Sequence, residues 1–122
     1  MKKILVNSTD ENLLSLLRSQ VTALGFEIST IDTNQHLAEQ VKLEKPAVLI
    51  IDFLLGDDNA AAVCHQITAS PDTSDIPVVI LSDMPGIEQT AAKAGSFAVI
   101  KKPMSVELLA ENIMAALLAH KV

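Results

Sequence analysis

The chain has 122 residues and a formal net charge of −6, and 49% of its residues are hydrophobic but only 2% aromatic. This length and composition predict one globular domain, residues 1–122, with an aliphatic core. The acidic balance and the few aromatic rings exclude a nucleic-acid surface of the basic, base-stacking kind. A single cysteine excludes a disulfide framework. The first apolar run is too short for a signal peptide, no stretch is long enough to span a membrane, and a cytoplasmic location is expected.

Five short apolar runs are predicted to form strands. They cover residues 4–6, 26–31, 46–52, 78–82 and 97–100. The third run, Pro46 to Asp52, has five consecutive apolar residues before its terminal carboxylate, a pattern typical of a strand buried on both faces. Because ligands of open parallel sheets bind at the carboxyl ends of strands, Asp52 is a candidate functional residue.

Helical patterns follow each of these strands. The first begins after the turn at 7–10, where Ser8 and Glu11 have the spacing of a capping box, and it ends at Gly25. The others are predicted at 33–44, from 58 or 59 to about 67, at 87–94, and from the cap Ser105 to about 120. Residues expected to face the core are Leu13, Leu16, Leu17, Val21 and Leu24 in the first helix, and Leu37 and Val41 in the second. In the third they are Ala60, Val63, Cys64 and Ile67, and in the last Val106, Leu109, Ile113 and Leu117.

The regular alternation of strand and helix predicts the fold. It indicates an α/β protein with a five-stranded parallel sheet and five helices distributed over both faces. At this length the flavodoxin-like strand order 2-1-3-4-5 is the common solution, and it brings the ends of the first and third strands side by side.

Three motifs resemble the receiver domain of two-component response regulators, and the resemblance covers essentially the whole chain. Asp52 stands at the phosphoacceptor position at the end of the third strand. Residues 75–82, Asp-Ile-Pro-Val-Val-Ile-Leu-Ser, match the fourth-strand signature, with Ser82 at the position of the family's hydroxyl. Residues 94–96, Ala-Gly-Ser, followed by Lys102 and Pro103, match the fifth-strand signature.

The resemblance implies a signalling site and not an enzyme active site. A partner's phosphohistidine would pass its phosphoryl group to Asp52, while a divalent cation neutralises charge on the transferring oxygens. Ser82 and Lys102 would hold the product. The implied partners are a histidine kinase or another signalling protein. A second copy is also implied, through the face made by the helix at 87–94, the fifth strand and the last helix, where Met114 and Leu118 should be exposed. No nucleic-acid or membrane contact is implied.

The metal-binding part of the family pattern is missing here. The family places two adjacent acidic residues at the end of the first strand, and this chain has Ser8 and Thr9 there, or Asn7 and Ser8 with the register shifted by one. Asp10 should instead open the first helix. Since Mg²⁺ needs carboxylate ligands, Asp52 alone should bind it weakly or not at all. The loop acids Asp57 and Asp58 could substitute, and an ion pair between Asp52 and Lys102 would need no metal.

The sequence therefore leaves three functions open. The first is a degenerate receiver that acts through protein–protein contacts, with phosphorylation reduced or lost. In the family an aromatic residue on the fifth strand takes part in the switch. Val99 stands in its place here, which favours a degenerate receiver. The second is a functional receiver phosphorylated at Asp52 by a histidine kinase or phosphotransfer partner. The third is a small flavodoxin-like ligand-binding or enzyme domain, disfavoured because no phosphate-cradling glycines follow the first strand. The three histidines lack metal-ligand spacing, and Cys64 is expected to be buried and unreactive.

Overall fold

Five strands form one parallel sheet. The computed structural model describes residues 3–23, 25–31, 37–52, 60–82, 89, 92–93, 95–101 and 105–120. The strands are β1 (Lys3–Asn7), β2 (Glu27–Ile31), β3 (Val48–Asp52), β4 (Val78–Ser82) and β5 (Ala98–Lys101). Neighbouring strands are parallel, in the order β2-β1-β3-β4-β5. The predicted sheet and strand order are confirmed.

The described ranges contain four helices, and not the five that were predicted. They are α1 (Glu11–Ala23), α2 (Leu37–Glu44), α3 (Ala60–Ala69) and α4 (Val106–His120). The predicted helix at 87–94 lies mostly outside the described residues. Of this segment the structure describes Gln89, Ala92 and Lys93, and these three have helical backbone. The positive φ of Gly95, 93°, ends this segment as predicted.

A core cluster lies on each face of the sheet, with α1 and α4 on one face and α2 and α3 on the other. β3 is buried along its whole length. Its residues alternate between the clusters, so that Val48 and Ile50 join the first while Leu49 and Ile51 join the second. The central strand therefore packs on both layers, as its continuous apolar run predicted.

One residue, Leu16, was wrongly assigned to the core face of α1. Leu16 is 51% exposed, and Leu14 is buried in its place. The buried residues of this helix are Leu13, Leu14, Leu17 and Val21. At 100° per residue, Leu16 lies roughly 115° away from the centre of that face, which is too far round the helix to reach the sheet. Leu24 lies outside the described residues.

The predicted capping box at the start of α1 is also wrong. Asp10 is the cap, since its Oδ1 accepts hydrogen bonds from the backbone nitrogens of Asn12 (3.1 Å) and Leu13 (3.2 Å). Asp10 thus opens the helix as expected, and Ser8 serves elsewhere. At the other end Gly25 has a φ of 89°, and its N–H donates to the carbonyl of Thr22. The Phe26 N–H donates to Val21, which completes a Schellman motif.

The other helices follow their predicted core faces where the side chains are described. Ser105 caps α4, since its Oγ accepts from the Leu108 N–H at 3.0 Å. The predicted core residues that prove buried are Leu37, Val41, Val63, Cys64, Ile67, Leu109, Ile113 and Leu117. The side chains of Ala60 and Val106, and the predicted start of α2 at 33–36, lie outside what the structure describes.

Candidate functional site

Four buried polar residues lie at the carboxyl ends of three neighbouring strands. Asn7 ends β1 and Ser8 follows it, Asp52 ends β3, and Ser82 ends β4. The strand register pairs Asn7 with Ile51, which puts Ser8 and Asp52 level at the next position. Ser82 follows Leu81, the β4 residue paired with Asp52. The fold thus brings together three of the predicted site residues.

Ser8 and Asp52 form a buried hydrogen bond. The Ser8 Oγ donates to the Asp52 Oδ2 at 2.9 Å, and it accepts from the Asp10 N–H at 3.1 Å. Ser8 is 1% exposed and Asp52 4% exposed. A hydroxyl has one proton to donate, and here the carboxylate receives it. This charge-assisted bond joins the ends of β1 and β3 and links both to the start of α1.

At this edge of the sheet the described neighbours of the Asp52 carboxylate on the adjacent strands, Asn7, Ser8 and Ser82, are neutral. Mg²⁺ favours oxygen ligands with one or two carboxylates among them. Ser8 offers a neutral hydroxyl, and the carboxylate of Asp10 is turned to the α1 backbone as its cap. Among the residues that the structure describes, no cluster of three or more acidic, histidine or cysteine side chains could hold a metal.

Several predicted site residues lie outside the described residues. They are Lys102, Asp57 and Asp58. The ion pair of Asp52 with Lys102 and a metal role for the two loop acids therefore stay predictions. Thr9 is described, and its exposed side chain lines a cleft beside α1.

The role of Ser8 as hydrogen-bond donor to Asp52 was not predicted from the sequence. The serine was identified only as a replacement for an acidic residue and as a helix cap. The available signal was a short hydroxyl side chain at the end of one strand, with a lone carboxylate at the end of its neighbour. Such a pair becomes a contact only when the strand register is known.

Three further predictions concern side chains away from this edge. Cys64 is buried, and burial raises the pKa of its thiol to about 11, as expected for an unreactive cysteine. Val99 is half-buried and packs against the α2–α3 cluster. Met114 and Leu118 are exposed on α4 as predicted, at 38% and 62%.

The sequence matches a known family over most of its length. A profile of the response regulator receiver domain matches residues 4–114, and the chain belongs to this family. The phosphate regulon transcriptional regulatory protein PhoB of Rhizobium meliloti is 27% identical over 121 residues, which cover 96% of this chain and 52% of that protein. Response regulator MprA of Mycobacterium leprae is 24% identical over 94% of this chain and 50% of its own. The chain thus spans about half the length of the curated relatives it matches.

Solved structures share the fold. A putative response regulator from Chloroflexus aurantiacus superposes with a TM-score of 0.86 at 19% identity, covering 96% of this chain and 98% of its own. The beryllofluoride-activated NtrC4 receiver domain dimer superposes with a TM-score of 0.87 at 22% identity, covering 98% of this chain and 99% of its own.

None of the helices within the described ranges has the length and apolarity needed to cross a membrane.

Proposed function

We propose that this chain is a receiver module of two-component signalling in which Mg²⁺-dependent phosphorylation of Asp52 is reduced or lost, and which acts through protein–protein contacts. The observation that supports this most directly is the hydrogen bond from Ser8 to Asp52. It puts a neutral donor against Asp52 at the point where the family has a carboxylate for the cation. Phosphoryl transfer needs a cation to offset charge on the transferring oxygens, and this pair of residues offers it one carboxylate where the family offers more.

The same hydrogen bond also opposes attack by the carboxylate. A hydrogen bond to a charged group contributes roughly 1.5–3 kcal/mol, so attack through Oδ2 would first lose about that much. Each 1.36 kcal/mol corresponds to a factor of about ten in rate. Transfer through Oδ2 is therefore expected to be slower by one to two orders of magnitude, before the weaker metal binding is counted.

Phosphorylation by acetyl phosphate tests the proposal directly. The protein is incubated with acetyl phosphate and Mg²⁺, and its intact mass is followed with time. We expect no stoichiometric gain of a phosphoryl group. A full gain that Asp52→Asn abolishes would overturn the proposal.

A functional phosphoacceptor is the second candidate. It is favoured by the burial of Asp52 and Ser82 at the ends of adjacent strands, where an acceptor and a hydroxyl are required. A magnesium ion is coordinated in the active-site cleft of the receiver domain of sensor histidine kinase PA1611, which superposes with a TM-score of 0.81 at 14% identity. Stabilisation of this chain by Mg²⁺ with beryllofluoride in a thermal melt would favour the second candidate over the first.

The contacts of the module are proposed to involve a histidine kinase or another signalling protein, and a second copy of the chain. The exposed side chains of Met114 and Leu118 support the second copy, since they are one turn apart and form a small apolar patch on α4. Sedimentation of the wild type and of Leu118→Ser tests it. Self-association that the substitution weakens is expected, while a monomer at all concentrations would exclude the dimer.

A further inference from the structure

A surface cleft of about 550 Å³ lies beside the Asp52 site, between α1 and the carboxyl ends of β1 and β2. Its volume falls within the roughly 300–1,000 Å³ of small-molecule sites. The buried Ser8 contributes to its wall. The lining is mostly polar, which indicates a ligand that is held by charges and hydrogen bonds.

Three residues of α1 line one wall of the cleft in the order acid, apolar, base. They are Glu11, Leu14 and Arg18, and their spacing of three and four residues puts them on one face of the helix. Glu11 and Arg18 are two turns apart, about 10 Å along the axis. The salt bridge in the described part of the chain joins Lys3 and Glu44, and it involves neither Glu11 nor Arg18.

The opposite wall comes from the strand ends. Thr9 follows β1, and Thr30 and Ile31 end β2. Both threonines are exposed and Ile31 is half-buried. The cleft therefore has opposite charges two turns apart on one helix, a buried leucine between them, and the threonine hydroxyls on the opposite wall.

We propose that this cleft binds a small zwitterion of the amino-acid class. The ligand's ammonium group pairs with Glu11 and its carboxylate with Arg18, whose planar guanidinium can form two parallel hydrogen bonds to a carboxylate. Its carbon chain packs on Leu14 and Ile31. The zwitterion carries no net charge, which suits a protein of net charge −6 that repels free anions. A simple anion would also be repelled by the Glu11 carboxylate.

Calorimetric titration of the whole chain with four probes tests the proposed ligand class. Leucine carries both charges on one carbon, and ε-aminocaproate carries them at opposite ends of an aliphatic chain. Caproate lacks the ammonium group, and hexylamine lacks the carboxylate. We expect at least one zwitterion to bind about tenfold more tightly than either singly charged probe, the difference made by one charge-assisted hydrogen bond. Binding of neither zwitterion, or equal binding of caproate, would overturn the proposal.

Substitutions locate the binding to this cleft. Arg18→Gln and Glu11→Gln should each weaken the bound zwitterion about tenfold, since each removes one charge-assisted contact. Both residues are exposed, and thermal melts should show that both variants fold. Lys42→Gln, which removes an exposed cation from α2, is the matched control and should bind as the wild type does. Wild-type affinity in both cleft variants would show that the ligand lies elsewhere.

Discussion

Ser8 donates a hydrogen bond to Asp52 over 2.9 Å, between residues 44 positions apart in the sequence. The contact depends on the parallel register of β1 and β3, which places the two side chains level with one another. Because the same Ser8 oxygen accepts the Asp10 N–H, the carboxylate is connected through one atom to the cap of α1. Ser8 is therefore the residue whose substitution tells most about this protein.

Removal of the Ser8 hydroxyl should destabilise the fold. Ser8→Ala leaves the buried Asp52 carboxylate without this donor, and a lost hydrogen bond to a charged group costs roughly 1.5–3 kcal/mol. Urea denaturation measures the loss. Ser15→Ala, which changes an exposed serine of α1, is the control and should lie within about 0.5 kcal/mol of the wild type. In a double-mutant cycle with Asp52→Asn, additive losses would show that the two side chains do not interact.

An acidic residue at position 8 should create sensitivity to Mg²⁺. Ser8→Asp puts a second carboxylate beside Asp52, so the metal-free variant should be less stable than the wild type because like charges repel. Mg²⁺ should reverse this loss, by about 2.7 kcal/mol when it is present at 100 times its dissociation constant. Thermal melts with and without Mg²⁺ measure both effects. Equal responses of Ser8→Asp and the surface variant Ser15→Asp would contradict the prediction.

Two glycines with similar backbone angles should differ in their tolerance of alanine. Gly25 and Gly95 have φ values of 89° and 93°, so Gly→Ala introduces backbone strain of roughly 1–2 kcal/mol at each. A Cβ at Gly25 meets nothing within 4 Å, whereas at Gly95 it comes within 2.9 Å of the Thr68 Oγ1. We expect Gly95→Ala to cost at least about 1 kcal/mol more, from overpacking. Urea denaturation compares the two variants, and equal losses would show that Thr68 moves aside freely.

Protonation of Glu44 should lower the stability of the fold in acid. The hydrogen bond from the Gln40 Nε2, at 2.6 Å, lowers the pKa of Glu44, with burial opposing and Ser29 and Lys3 adding to the effect. Because the pKa is lower in the folded state, the stabilisation is present above the ordinary pKa of 4.5 and is lost as the pH falls through the folded value. Stability measured from pH 6 to pH 3 should therefore fall less steeply in Glu44→Gln than in the wild type. Parallel curves would contradict the prediction.

The sequence predicted the sheet well because its signals are local. Each buried strand is a run of consecutive apolar residues, and turn residues or caps lie between it and the next helix. The alternation of elements then restricts the topology to very few possibilities. The same local signals placed Ser105 at the cap of α4 and Gly25 at the end of α1, and both are confirmed.

The errors arise where the outcome depends on tertiary position. Leu16 was assigned to the core from its spacing, but the sheet lies against Leu14 and Leu17, and the helix turns Leu16 to solvent. Ser8 was assigned to a capping box from its spacing, but its hydroxyl donates to the Asp52 carboxylate on a distant strand, and Asp10 opens the helix as expected. Neither result can be derived from local pattern, because each is decided by what lies opposite.

The burial of β3 in both core clusters has a consequence for motion. A strand whose alternate residues anchor two separate helical layers cannot expose its amides without disrupting both, so its amide protons should exchange with solvent only through global unfolding. β1 is anchored in the same way, with Ile4 and Val6 in one cluster and Leu5 in the other. The Ser8–Asp52 hydrogen bond lies where these two strands end, so the backbone on both of its sides should resist slow breathing.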